Sequence, residues 1–198
     1  MNYTEKILSN IIEYCIISLP VKFRLSQDPL ELKAIMSFEP LFKDDFWEVH
    51  IKWTRPRAYE RVRDEGSDYD DSACLYYICA QFSTGQPKVL YIGQTYQQSV
   101  SLRLQQPDHK NRYAAFVRNY PKHRFSVSHG IVSIVDGHLT QRRVDDVERL
   151  LIYANDPEHT HNVQHIYQHG VSGSYVITNT GYRSGLPRYL RLGVFVEY

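Results

Sequence analysis

The segment Ala73-Cys74-Leu75-Tyr76-Tyr77-Ile78-Cys79-Ala80-Gln81-Phe82, followed by Ser83-Thr84-Gly85-Gln86-Pro87 and then Val89-Leu90-Tyr91-Ile92-Gly93, reads as two apolar runs around a turn. Aromatic and β-branched residues suit a pleated, packed surface. A polar link holding Gly and Pro reverses the chain. The segment therefore predicts a β-hairpin. Downstream, helical spacing is expected at about Ser99 to Gln106 and Asn111 to Tyr120, then a strand from Phe125 to Val135 and a turn at Asp136-Gly137. Thr140 to Asn155 predicts a longer helix, capped by Thr140, with Val144, Val147, Leu150, Leu151 and Ala154 as its buried stripe and Asn155-Asp156-Pro157 as its end. Late edge strands are expected around Tyr175 to Thr178 and Gly193 to Tyr198.

Upstream, Thr4 can cap a helix running to about Ser18, with Ile7, Leu8, Ile11, Ile12 and Cys15 on one side; it reads as a docking or dimerising element. Asp28-Pro29 opens a second short helix that Glu39-Pro40 ends. The alternation Trp47, Val49, Ile51, Trp53 predicts a half-buried strand. Arg55 to Asp71 is Arg-rich and then Asp-rich, and reads as a mobile loop, with Asp68 to Asp71 a solvated acidic stretch. The expected fold class is α+β: a small mixed sheet, hairpin plus a further strand, flanked by helices. Residues 1–71 form an N-terminal arm in this reading, 72–165 the core, and 166–198 a C-terminal strand extension.

Of 198 residues, 42% are hydrophobic and 23% charged, enough apolar material to bury a core. The apolar run at Ile11 to Leu19 is interrupted by Glu13, Tyr14 and Ser18, and no stretch approaches the roughly 18 residues of a membrane span. A signal peptide is not expected either, so the location read from the sequence is cytoplasmic. Cys15, Cys74 and Cys79 are odd in number and lack a CxxC spacing, which predicts reduced, buried thiols. A net charge of +1 gives no overall pull toward nucleic acid, so charge distribution must carry that argument. Basic residues gather at Arg55 to Arg63, Lys110 to Arg124 and Arg183 to Arg191, and acids at Asp64 to Asp71 and Asp145 to Glu148.

Within this frame Tyr76 and Tyr91 fall on neighbouring strands, Arg103 on the next helix, Glu148 on a later helix and Asn162 beyond it. In this order the chain resembles the GIY-YIG endonuclease superfamily. Cys74-Leu75-Tyr76 and Tyr91-Ile92-Gly93 stand at its two tripeptides, with Cys74 where the family usually has Gly. Arg103 stands at the family's arginine, Glu148 at its metal-binding glutamate and Asn162 at its later asparagine. Asn179-Thr180-Gly181 with Gly185-Leu186-Pro187 resembles C-terminal segments of the restriction branch, in which a histidine near the position of His109 assists proton transfer. The resemblance implies a metal-dependent endonuclease acting on double-stranded DNA, type II restriction-like, with repair, recombination or mobile-element cleavage as the alternative. A nucleic-acid-binding module that has lost catalysis is the reading from another class.

The residue types fit that chemistry. Glu148 offers the hard oxygen that Mg²⁺ prefers, with Mn²⁺ as a substitute. Arg103 is a permanently charged fork for a phosphate. A phenol of ordinary pKa about 10 is a weak base at neutral pH, so the scheme needs nearby cations, with Arg103, the metal and Lys88 as candidates. Tyr76 is read as the base and Tyr91 as orienting water or phosphate, with exchange of the two left open. Arg55, Arg57, Arg61, Lys110, Arg112, Arg118, Arg183 and Arg188 are expected contacts to DNA, and Asn179 is a candidate in a groove. Cutting both strands favours a homodimer, with the Thr4 to Ser18 helix as its seam.

Each residue alone has a simpler account. Strand tyrosines usually pack a core, a helix glutamate usually pairs with a neighbouring arginine, and an asparagine commonly stabilises a turn. The ordered set is what points to a site. His159, His161, His165 and His169 offer a rival zinc site, but no paired cysteines accompany them.

Overall fold

The computed structural model describes residues 46–72, 74–155, 161–162, 170–171, 173–191 and 195–197. The helices read over Thr4 to Ser18 and after Asp28, Cys15, and three of the four clustered histidines (His159, His165, His169) lie outside the described residues.

Trp47, Val49, Ile51 and Trp53 alternate inward along β1 (Phe46–Trp53), as their spacing required. Arg57–Ala58 is β2, followed by α1 (Tyr59–Glu65). The hairpin is β3 (Leu75–Phe82) and β4 (Lys88–Gln94). Then come α2 (Val100–Gln105), α3 (Pro107–Asn119), β5 (His123–Ile134) and α4 (Gln141–Ala154). The chain ends with β6 (Ser174–Gly181), β7 (Tyr189–Arg191) and β8 (Phe195–Glu197). Mixed strands and helices make the fold α+β.

The strands form an eight-stranded sheet in the order β4-β3-β5-β1-β6-β7-β8, with β2 joined to β5. It is larger than the hairpin plus one strand expected from sequence. All pairs are antiparallel except β1 with β6, which run parallel with Trp53 opposite Gly181. β3 is buried on both faces, which explains its near-continuous apolar run. Leu75 and Tyr77 face one core with Val144, Val147, Leu150 and Leu151 of α4. Tyr76 and Ile78 face a second core with Tyr59 and Val62 of α1, Val100 and Leu104 of α2, and Phe116 of α3. Thr140 caps α4 by accepting from the Arg143 N–H, as its position before the apolar stripe suggested.

Four expectations change. The compact unit runs from Phe42 to Tyr198, whereas the sequence put the core's beginning near Ser72. The reason is that β1 lies inside the sheet, paired on both sides with β5 and β6. The Arg55 to Asp71 segment is not a loop throughout: Tyr59 and Val62, three apart, anchor α1 in the second core. Asp70 is buried rather than solvated, taking hydrogen bonds from the Ser101 N–H (3.0 Å) and hydroxyl (2.5 Å) at the start of α2. Finally, β6 is an interior strand and not an edge.

Candidate functional site

Tyr76 and Gly93 are partners across the hairpin, and Tyr91 lies two residues before Gly93, so both phenols project from one face of the sheet. The Tyr76 ring lies over the Gly93 Cα; a Cβ there would sit 2.5 Å from the phenol carbon and oxygen. That is the physical reason for glycine at this position. Cys74 does not obstruct the hairpin. Its thiol packs against the first core, its N–H bonds to the Gly130 carbonyl (3.2 Å) and its carbonyl accepts from Thr95 (2.8 Å). The close approach is made by Gly130 of β5, where a Cβ would be 2.7 Å from the Trp53 ring and 3.1 Å from the Leu75 Cβ. Cys74 and Cys79 are free thiols, both pushed up by burial.

The phenol of Tyr76 is fully buried and 3.0 Å from Nε2 of His109, which sits in the first turn of α3. The Tyr91 ring lies 6.0 Å from that of Tyr76 and meets the His109 ring edge-on at 5.5 Å. Arg112, one turn after His109, places its guanidinium 4.2 Å over the Tyr91 ring and 3.3 Å from His109 Nδ1. The sequence offered Arg112 only as a DNA contact; its signal as a site residue was its spacing of three from His109. Arg103 forks onto Asp108, both contacts 3.3 Å, and also donates to Gln106.

The electrostatics follow from burial. Desolvation lifts the Tyr76 phenol well above 10, the neighbouring Tyr91 adds to this, and Arg103 and Arg112 oppose it. Tyr91 is raised by burial and restrained first by Arg112. Burial, with Arg103 and Arg112 alongside, lowers His109 to about 4, so its imidazole is neutral at pH 7. Glu148 of α4 is raised to about 7 by burial and then by the like charge of Asp145 one turn before it. Its charge is felt by both phenols. Asp145 accepts from the Gln94 side chain (3.2 Å), which ties α4 to the end of β4.

Tyr76, Tyr91, Arg103, His109 and Glu148 therefore share one electrostatic neighbourhood. Asn162 stands apart: its amide donates to the Ile92 carbonyl (2.8 Å) and accepts from the Ile92 N–H (3.1 Å), closing the free edge of β4. Lys88 is at the opposite end of β4, where it acts on His161, so the cations near the phenols are Arg103 and Arg112. His161 bonds to the Tyr120 hydroxyl at 3.0 Å.

The remaining basic residues are spread over the surface. Arg55, Lys110, Arg118 and Arg188 are exposed; Arg57 donates to the Gly66 carbonyl, Arg61 pairs with Glu65 and Arg183 donates to the Leu186 carbonyl. Asn179 is buried, accepting from Trp53 Nε1 (2.9 Å) and donating to the Pro187 carbonyl (2.8 Å), so it is a lock between strands and not a groove contact. No protein-family model, curated protein or solved structure matches the chain.

Proposed function

We propose that the chain is a metal-dependent endonuclease hydrolysing phosphodiester bonds of double-stranded DNA, restriction-like in its target and GIY-YIG-like in its site. The observation that carries the reading is the meeting of the Tyr76–His109 pair with Arg103, Arg112 and Glu148 at one end of the hairpin. Among the described residues no three His, Cys, Asp or Glu side chains converge as a metal cage. The donor set is instead Glu148 with Asp145 near it, two carboxylates whose repulsion a cation would relieve. That suits Mg²⁺ or Mn²⁺, which keep water and phosphate oxygens in their shell. When bound, such a cation would offset charge on the scissile phosphate and the leaving oxygen.

The chain's own residues account for the proton. In the tautomer whose Nε2 carries no proton, the Tyr76 hydroxyl donates to His109, leaving its oxygen lone pair for the attacking water. As that oxygen takes the water proton, its original proton passes to His109; the water oxygen bonds to phosphorus, the bond to the leaving sugar oxygen breaks, and that oxygen takes a proton from solvent. The phenol is thus restored without a free phenolate, which its burial disfavours. Arg112 holds the Tyr91 ring, and Arg103 is the fork for a phosphate that would replace Asp108.

Incubation of the purified protein with plasmid and bacteriophage DNA, with Mg²⁺ or with EDTA, followed by end mapping, tests the reading. Discrete fragments that vanish in EDTA are expected. Cleavage only of branched or damaged DNA would favour the repair or mobile-element alternative. The second reading, a binding module without catalysis, is favoured by the engagement of Arg103 with Asp108 and Gln106. Binding without cleavage across metals and substrates would select it.

A further inference from the structure

A cleft of about 840 Å³ opens where β1 and β6 end and the turn after α1 crosses β5, and none of the Tyr76–Glu148 group lines it. Its walls carry Lys52, Arg55, Arg57 and Arg61 against a single acid, Asp68. The Lys52 and Arg55 side chains have no hydrogen-bond or ion-pair partner among the described residues. Two large rings stand at its rim, Tyr69 and Tyr182, about half exposed at 49% and 55%.

Neither ring is mounted on a loose chain. Gly181 turns with φ +77°, and a Cβ there would collide with the Trp53 carbonyl oxygen. The next residue, Tyr182, is fixed by its N–H to Trp53 (3.1 Å) and its carbonyl to the Tyr77 hydroxyl (2.6 Å). The Tyr69 turn is held by the Asp70 N–H to Ser67 (3.0 Å) and by buried Asp70 itself. Pinned backbones that leave aromatic faces in water, beside unpaired cations, make a stacking platform with phosphate contacts. A volume within the usual range of small-ligand sites accommodates one base and its sugar.

We propose that this cleft binds a nucleotide unit, the base against Tyr69 and Tyr182 and the phosphates on Lys52 and Arg55. The ligand chemistry, an aromatic base bearing phosphate, is shared by a free nucleotide and an unstacked nucleotide in a strand. The site goes beyond the cleavage reading and draws on it only for the expectation that the source is a strand.

The test is the affinity of the full chain for a fluorescent single-stranded oligonucleotide, with deoxynucleoside monophosphates, inorganic phosphate and unlabelled strand as competitors. Tyr69→Ala with Tyr182→Ala should weaken binding by about fivefold or more, and the Tyr→Phe pair should restore it. Lys52→Ala with Arg55→Ala should flatten the dependence of log K on log salt by roughly 0.7 per phosphate contact removed. Competition by the monophosphate identifies the free nucleotide as sufficient; competition by the strand alone identifies the strand. Unchanged affinity in the Tyr→Ala protein, equal loss in the Phe and Ala proteins, or full competition by phosphate would overturn the proposal. DNA cutting followed in the same samples keeps the two readings apart. Absence of cutting with tyrosine-dependent binding sinks only the nuclease, and cutting with tyrosine-independent binding sinks only the cleft.

Discussion

Glu148 is held at a pKa of about 7 by burial and by Asp145. Because this lies above the usual 4.5, ionising it costs the folded state stability as pH rises from about 4.5 through 7, and the cost is absent at lower pH. Glu148→Gln should therefore raise metal-free stability at pH 8 by roughly 1–3 kcal/mol in urea titrations, while abolishing cleavage. Unchanged stability would remove the strained carboxylate from the account. Apparent Mn²⁺ affinity in the native chain should fall about tenfold per pH unit below 7, as protons compete for the ligand. His109 runs the other way: its pKa falls from 6.5 to about 4, so its contribution to stability is lost as pH drops through that window. Tyr76→Phe deletes the hydroxyl bonded to His109 and should lower kcat by roughly 10²–10⁴-fold. Tyr91→Phe keeps the ring under Arg112 and should cost much less. Equal losses in steady-state assays of the two variants would exchange or merge their roles.

At the level of elements, the outer edge of β4 is closed by residues 161 and 162, with the His161 N–H on the Leu90 carbonyl (2.6 Å) and the Asn162 amide bridging Ile92. An open edge beside the site would let Tyr91 and Gly93 shift in register. Asn162→Ala leaves the Ile92 N–H and carbonyl without this partner. It should cost about 2–3 kcal/mol in denaturant titrations and speed hydrogen exchange at Ile92. Exchange as slow as in the unaltered chain would mean that other contacts hold the edge.

Across the whole molecule, β1 links the two halves of the sheet: β5 with the hairpin on one side, β6 with β7 and β8 on the other. Deleting it would uncover an edge on both neighbours and strip Val49, Ile51 and Trp53 from the first core. A chain beginning at Ser72 should fail to unfold cooperatively by circular dichroism, whereas one beginning at Phe42 should retain a sharp transition. Cooperative unfolding of the shorter chain would restore the boundary near Ser72.

The hairpin, the alternating Trp47 to Trp53 strand, α2, and α4 with its Thr140 cap were legible in the sequence because each is set by local pattern: period two, period near 3.6, or a cap before an apolar stripe. The α+β class follows from their order. What local pattern cannot contain is which strand lies beside which. The central place of β1, the parallel pairing of β6 and the anchoring of α1 through buried Tyr59 and Val62 are long-range choices, made by burial of both sheet faces. The site divides in the same way. The resemblance in residue order marked Tyr76, Tyr91, Arg103, His109 and Glu148 as candidates, but only the fold brought Arg112 over Tyr91 and set the Asn162 amide on backbone. Only the fold, too, desolvated His109 and Glu148 enough to shift their pKa values. Desolvation depends on what packs around a side chain, and that neighbourhood exists only once the chain has folded.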